Sequence, residues 1–190
     1  MLQAGYLETD LPGMLRRLFL CVTLVLPVGC AVQLNAPVQE IEMAFSPDAG
    51  AEALVLKTIG MARQSIRLAG YSFTSPAVIH GLVEATRRDV DVSALVEDRG
   101  NRSQAGTAAL NLMVSAGIPM RVVSASTIYH DKYIVVDGLH TQTGSFIYSQ
   151  VAAKSNSDNV LVWNNPSVPT QYVSHWESRW KQGSEVQRSN

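Results

Sequence analysis

Residues 129–150 read YHDKYIVVDGLHTQTGSFIYSQ. Ile134, Val135 and Val136 form an apolar run, and the polar pair His130 and Lys132 precedes it. Such a run, bounded by turn residues, reads as a buried strand. Side chains alternate along a strand, so His130, Lys132, Ile134 and Val136 are expected on one face and Asp137 on the other. Asp137-Gly138 is a strong hairpin signal, because a type I′ turn needs positive φ at both central positions. A turn centred there puts Val136 opposite Leu139, Lys132 opposite Thr143 and His130 opposite Ser145. Opposed residues point the same way. The hairpin is therefore expected to gather an imidazole, an ammonium and a hydroxyl beside the backbone amides of Gly144 and Ser145. Lysine supplies charge, and hydroxyl and amide donors supply directed hydrogen bonds, a combination suited to an anionic group such as phosphate.

Upstream of the hairpin the elements alternate. Ile41–Phe45 reads as a strand and Ala49–Arg63 as a helix with apolar residues at Ala53, Leu54, Leu56, Ile59 and Ala62. Ser65–Phe73 is a strand. Pro76 opens a helix carrying Val78, Ile79, Leu82, Val83 and Ala85. Val90–Val96, a helix over Gln104–Ser115 stopped at Gly117, and Ile118–Val123 follow. This order predicts an α/β fold: a mixed, mostly parallel sheet flanked by helices on both faces, with the hairpin adding antiparallel strands. Downstream, Val160–Trp163 is a short strand and Val168–Trp180 a helix. Its stripe of Val168, Tyr172, Trp176 and Trp180 has the helical spacing of a packed face rather than of a base-stacking platform.

The N-terminal region has a different character. Met14-Leu-Arg-Arg precedes LFLCVTLVLPVGC, which ends at Cys30. A basic start, a short apolar run and small residues at its end form a secretory signal. The run is short for a membrane span. The expected layout is an extension and signal over residues 1–30, a linker over 31–40, a catalytic domain over 41–183 and a tail over 184–190. A periplasmic or secreted location follows, with lipidation at Cys30 as the alternative. The two cysteines, Cys21 and Cys30, both fall in the signal, so the mature domain has neither a disulfide nor a cysteine-based site. Lys and Arg number 15 and Asp and Glu 16, a formal charge of −1. The overall balance is thus not basic, and any nucleic-acid contact must come from a local cleft. There is no Walker loop, no G-x-G-x-x-G and no G-x-S-x-G. His80, His140 and His175 each stand alone, and no metal-ligand spacing appears.

His130, Lys132 and Asp137 form H-x-K-x4-D, with Gly144 and Ser145 following at a fixed offset. In these residues the chain resembles the phospholipase D superfamily, and more narrowly its small bacterial endonuclease branch, whose members carry one such motif per chain. The likeness runs from about Met43 to Gly183 and includes SIRLAGYSFTS (65–75), SNSDNVLVW (155–163) and HWESRW (175–180). The resemblance implies a phosphodiesterase, in the first instance a nonspecific endonuclease acting on DNA, with RNA as a further candidate substrate. His130 would attack phosphorus to form a phosphohistidine that water hydrolyses, without a metal ion or other cofactor. Lys132 and Ser145 would hold the phosphate, with Asn156 as a further binding residue. Asp158 falls where the family places an acid that orients the histidine ring. Asp137 and Gly144 are structural parts of the motif. A second histidine is needed to protonate the leaving oxygen, and one motif supplies only one. The resemblance therefore implies a homodimer with one shared site. Position 147 departs from the family: Gly-Ser-x-Asn is the usual pattern, and this chain has Ile147, which cannot donate a hydrogen bond. The alternatives are a phospholipid hydrolase using the same site and a catalytically impaired nucleic-acid-binding homologue.

Overall fold

The computed structural model describes residues 40–188, which belong to a unit spanning Pro37–Asn190. The expected signal, Cys21, Cys30 and all but the last residue of the expected linker lie outside the described residues. The elements follow in the order β1 (Glu40–Ser46), α1 (Ala51–Met61), β2 (Ser65–Gly70), α2 (Pro76–Arg87), β3 (Asp91–Glu97), a 3₁₀ turn (Arg99–Asn101), α3 (Gln104–Ser115) and β4 (Met120–Val123). Then come β5 (Tyr133–Val136), β6 (His140–Gly144), α4 (Gln150–Lys154), β7 (Asp158–Asn164), α5 (Ser167–Trp180) and β8 (Ser184–Glu185). Serine hydroxyls start three of the helices: Ser75, Ser103 and Ser149 accept from the amides of Val78, Gly106 and Ala152.

The strands form one eight-stranded sheet in the order β1-β7-β6-β5-β2-β3-β4-β8. Two apolar layers enclose it. Ile66, Leu68, Ile134 and Val136 pack with the apolar faces of α1, α2 and α3. Ala69, Leu95, Tyr133 and Val135 pack under Trp176 of α5. The aromatic stripe of α5 is thus core: Trp176 is buried, stacks on Trp180 at 4.6 Å and donates its indole N–H to the Leu68 carbonyl. Among the described residues no helix is long and apolar enough to cross a membrane.

The mixed α/β sheet is the expected one, but its parallel part is narrower than expected. Only β2–β3 and β3–β4 run parallel; the other five pairings are antiparallel. β1 does run in the direction of β2, as a β-α-β unit requires. Three strands of the later sequence are inserted between them. β8 carries the sheet past the boundary expected at Gly183, pairing Ser184 with Val122. This topology brings the C-terminal ends of β1, β2, β3 and β6 and the N-terminal ends of β5 and β7 to one end of the sheet.

The hairpin turn has the expected chemistry and a different register. Asp137 and Gly138 have φ of 54° and 63°, and the Leu139 amide donates to the Val136 carbonyl at 3.0 Å. The ladder then resumes with Val136 opposite His140, so Leu139 is an extra, exposed residue. Such a bulge shifts every later pair by one. Tyr133, not Lys132, lies opposite Thr143. The strand also starts only at Tyr133, which leaves His130–Lys132 as irregular chain without ladder partners.

The Asp137 carboxylate accepts three backbone amides, those of Arg63, Gln64 and Ser65, at 2.8–2.9 Å. It therefore ties the hairpin turn to the α1–β2 loop. Burial alone would raise its pKa, but the three amide bonds outweigh burial and leave it below the ordinary aspartate value. A depressed folded pKa stabilises above the unfolded pKa, and that contribution is lost as pH falls through the folded value. Asp137→Asn is accordingly expected to cost roughly 3 kcal/mol at neutral pH. The deficit should begin to shrink as pH falls below the unfolded aspartate value of about 4, and should vanish only once pH has passed below the lower, folded value. Denaturant unfolding across pH tests this; a deficit that stays constant down to strong acid would exclude the clamp.

Candidate active site

The site forms where the strand ends meet. Lys132 leaves the irregular segment inward and is 9% exposed, while His130 next to it is exposed. The Lys132 ammonium donates to the His130 carbonyl at 2.8 Å, folding the segment back on itself. Tyr71, just past the end of β2, bridges the two side chains. Its ring meets the His130 imidazole edge to face at 4.8 Å, and the Lys132 nitrogen lies 5.6 Å from its centre. Burial lowers the pKa of Lys132, and the Asp131 and Asp158 carboxylates oppose that effect in part.

Ser145 stands on the adjoining strand end. Its hydroxyl donates to Asp158 Oδ1 at 2.7 Å and accepts from the Asn159 amide at 3.1 Å. The other carboxylate oxygen of Asp158 is buried without a partner among the described residues. Gly144 makes this approach feasible. Its φ is 151°, and a Cβ there would lie 2.1 Å from the Asn159 carbonyl oxygen. Ser46, at the end of β1, completes the support by accepting from the Asp158 amide and donating to the Asn156 carbonyl.

One cavity of about 500 Å³ joins His130, Lys132, Thr143 and Gly144 to Asp131 and the α5 residues Gln171 and His175. The structure thus brings together His130, Lys132 and Gly144, with the Ser145–Asp158 pair on the neighbouring strand ends. Within one chain the His130 ring makes no hydrogen bond among the described residues, and Asp158 is engaged by Ser145 instead. Asn156 contributes its backbone carbonyl to the Ser46 support. Ile147 is half-buried and packs against the main core. His140 bonds Asn164 at 2.6 Å, away from this cavity. Among the described residues no group of three or more His, Cys, Asp or Glu side chains could hold a metal ion.

Two cavity neighbours are not apparent from sequence reasoning. Tyr71 belongs to the 65–75 stretch, but nothing in its spacing points at His130. His175 stands alone in the sequence and reaches the site because α5 crosses the sheet; its Nε2 lies 2.9 Å from Asp131 Oδ2.

An eight-stranded mixed sheet with this histidine, lysine and glycine-serine at one end defines a phosphodiesterase-type site, and the chain belongs to the phospholipase D superfamily, in its Nuc-like branch. The family model described as "Cardiolipin synthase, PLD-like domain" matches residues 55–180. The crystal structure of Nuc from Salmonella typhimurium, a phospholipase D family member, is 40% identical with a TM-score of 0.77, covering 78% of this chain and 99% of that one. A phospholipase D of Rickettsia bellii is 29% identical over 140 residues, 74% of this chain and 69% of its own length. A mitochondrial cardiolipin hydrolase of Xenopus laevis is 27% identical over 157 residues, 82% of this chain and 73% of its own length.

Proposed function

We propose that this protein hydrolyses phosphodiester bonds of nucleic acid, DNA and also RNA, as a homodimer with one shared site. The convergence of His130, Lys132 and Gly144 on one cavity carries this reading. The neutral His130 ring attacks phosphorus, and the bond from phosphorus to the leaving sugar oxygen breaks. The second copy's His130 gives that oxygen a proton, then takes one from the water that attacks the phosphohistidine. The Lys132 ammonium, the Ser145 hydroxyl and the nearby amides bear the charge that builds on the phosphoryl oxygens. The unpaired oxygen of Asp158 supports a role as acceptor for an imidazole N–H.

The edge strand supports the dimer. Ile41, Met43 and Phe45 alternate onto one face of β1 and are 47%, 65% and 55% exposed. Phe45 and Ser46 pair with Asn159 and Asp158, so this apolar stripe ends at the site. A second copy covering it would bring its own strand ends to the same place. The cavity wall is mixed, with the side chains of His130, Asp131, Lys132, Thr143, Gln171 and His175 beside the rings of Tyr133 and Tyr172, and its polar groups favour a polar substrate.

Nicking of plasmid DNA by the purified protein in excess EDTA tests the reading. Cleavage of DNA or RNA under these conditions is expected. Hydrolysis of phospholipid vesicles with no cleavage of nucleic acid would transfer the site to a lipid substrate. Binding of DNA without cleavage would mark an impaired homologue.

Ile147 gives a further test. The family pattern has an asparagine donor at this position, and a single such donor is worth about 10²–10³ in rate when it acts in the transition state. Ile147→Asn is expected to raise turnover, while losing about 1–2 kcal/mol of stability because a half-buried apolar side chain leaves the core. Lower turnover in a folded variant would count against this role.

A further inference from the structure

The mechanism above makes no use of the other histidine in the cavity. His175 lies on α5, and its Nε2 is 2.9 Å from Asp131 Oδ2. The two side chains are 40% and 34% exposed, so the pair forms part of the cavity wall rather than a buried strut. A protonated imidazole has two N–H donors. Asp131 takes one of them, and the other nitrogen has no partner among the described residues. Gln171 lies one helical turn earlier on the same face and lines the same cavity. Its amide is likewise without a partner among the described residues. Behind them, Tyr133 packs edge to face on Tyr172 at 4.8 Å and lies 6.2 Å from the His175 ring. The wall thus offers a ring nitrogen of His175 and the amide of Gln171, both unengaged among the described residues, apart from the Ser145–Asp158 pair. The cavity volume is also of a size that takes more than one chemical group.

We infer that Gln171 and His175 bind the phosphate adjacent to the scissile one on a nucleic-acid strand. This rests on the nucleic-acid reading, because a lone phosphodiester has no second phosphate to place there. Asp131 is the orienting partner. It holds the imidazole against the wall, and its own charge is offset when the ring is protonated. A polyanion then meets a neutral pair with one N–H directed bond to offer, rather than a bare carboxylate between the two motif residues.

The test is steady-state cleavage of a single-stranded oligonucleotide at several salt concentrations. Loss of one charge-assisted phosphate contact is expected to raise KM about tenfold in His175→Ala, with a smaller change in kcat. The slope of log kcat/KM against log salt should become shallower by about 0.7. His175→Lys should restore the slope, and Gln171→Ala should raise KM without changing it. A His175→Ala variant that loses kcat but keeps its KM and slope would make His175 a brace for the His130–Lys132 segment and overturn the subsite. So would kinetics identical to wild type. A wild type that hydrolyses bis(p-nitrophenyl) phosphate but no oligonucleotide would overturn the nucleic-acid reading and the subsite with it.

Discussion

His130→Ala is expected to abolish phosphodiester hydrolysis, lowering kcat by about 10⁴-fold or more while leaving the melting transition in place. The size of the effect follows from the role: removal of an attacking nucleophile leaves no alternative route to the covalent intermediate. The fold should survive because His130 is exposed, and its ring makes no hydrogen bond among the described residues and packs at an angle against the ring of Tyr71. A shared site makes a sharper statement. If each site needs one histidine from each copy, subunits mixed at random lose activity as the square of the wild-type fraction. An equal mixture of wild type and His130→Ala should therefore retain about a quarter of full activity, not half. A linear response would show that each copy works alone. Brief reaction and acid-free quenching should also trap a phosphohistidine in the wild type and none in the variant.

Gly144→Ala should damage stability and activity together. A Cβ at this position would sit 2.1 Å from the Asn159 carbonyl oxygen and 2.9 Å from its carbon, on a backbone φ of 151°. The obstacle is main chain on the paired strand, so no side-chain rotation relieves it. Either β6 and β7 separate locally or the Ser145 segment moves. We expect a loss of about 3 kcal/mol or more in unfolding free energy. Displacement of Ser145 and its neighbouring amides should add a fall of about 10²-fold in kcat. Trimming the neighbouring side chain, as in Asn159→Gly, should not rescue the variant. Rescue would mean that the clash is with the side chain and that the close backbone approach is not what requires glycine. Thermal melts and single-turnover rates on the two variants separate these outcomes.

The sequence carried the alternation of strands and helices, the turn at Asp137-Gly138 and the grouping of a histidine, a lysine and Gly-Ser around it. These are local signals, set by periodicity and by residues that tolerate positive φ. The register was not legible, because nothing in GLHTQ marks Leu139 as the residue that leaves the ladder. Strand order was hidden for a different reason. Local patterning shows that β1 and β2 run alike, but not that β5, β6 and β7 insert between them. The contribution of His175 was equally hidden, since 44 residues separate it from Asp131 and only the path of α5 across the sheet brings them together. Tyr71 needed the β2–β5 pairing, which places the end of one strand beside the irregular start of the other.

The clamp at Asp137 divides the motif by physical duty. Two of its three signature side chains line the reactive cavity, while the third spends its carboxylate on backbone amides at the opposite end of the same strand. Mutational tolerance should follow that division rather than the motif's spelling. Variants at position 137 should behave as temperature-sensitive alleles, with normal turnover per folded molecule in the cold and rapid failure on warming. Those at 130 should be inert at every temperature. A survey that scores relatives as active or dead by the presence of all three letters would therefore misfile chains that have replaced the acid with some other fastening for the α1–β2 loop.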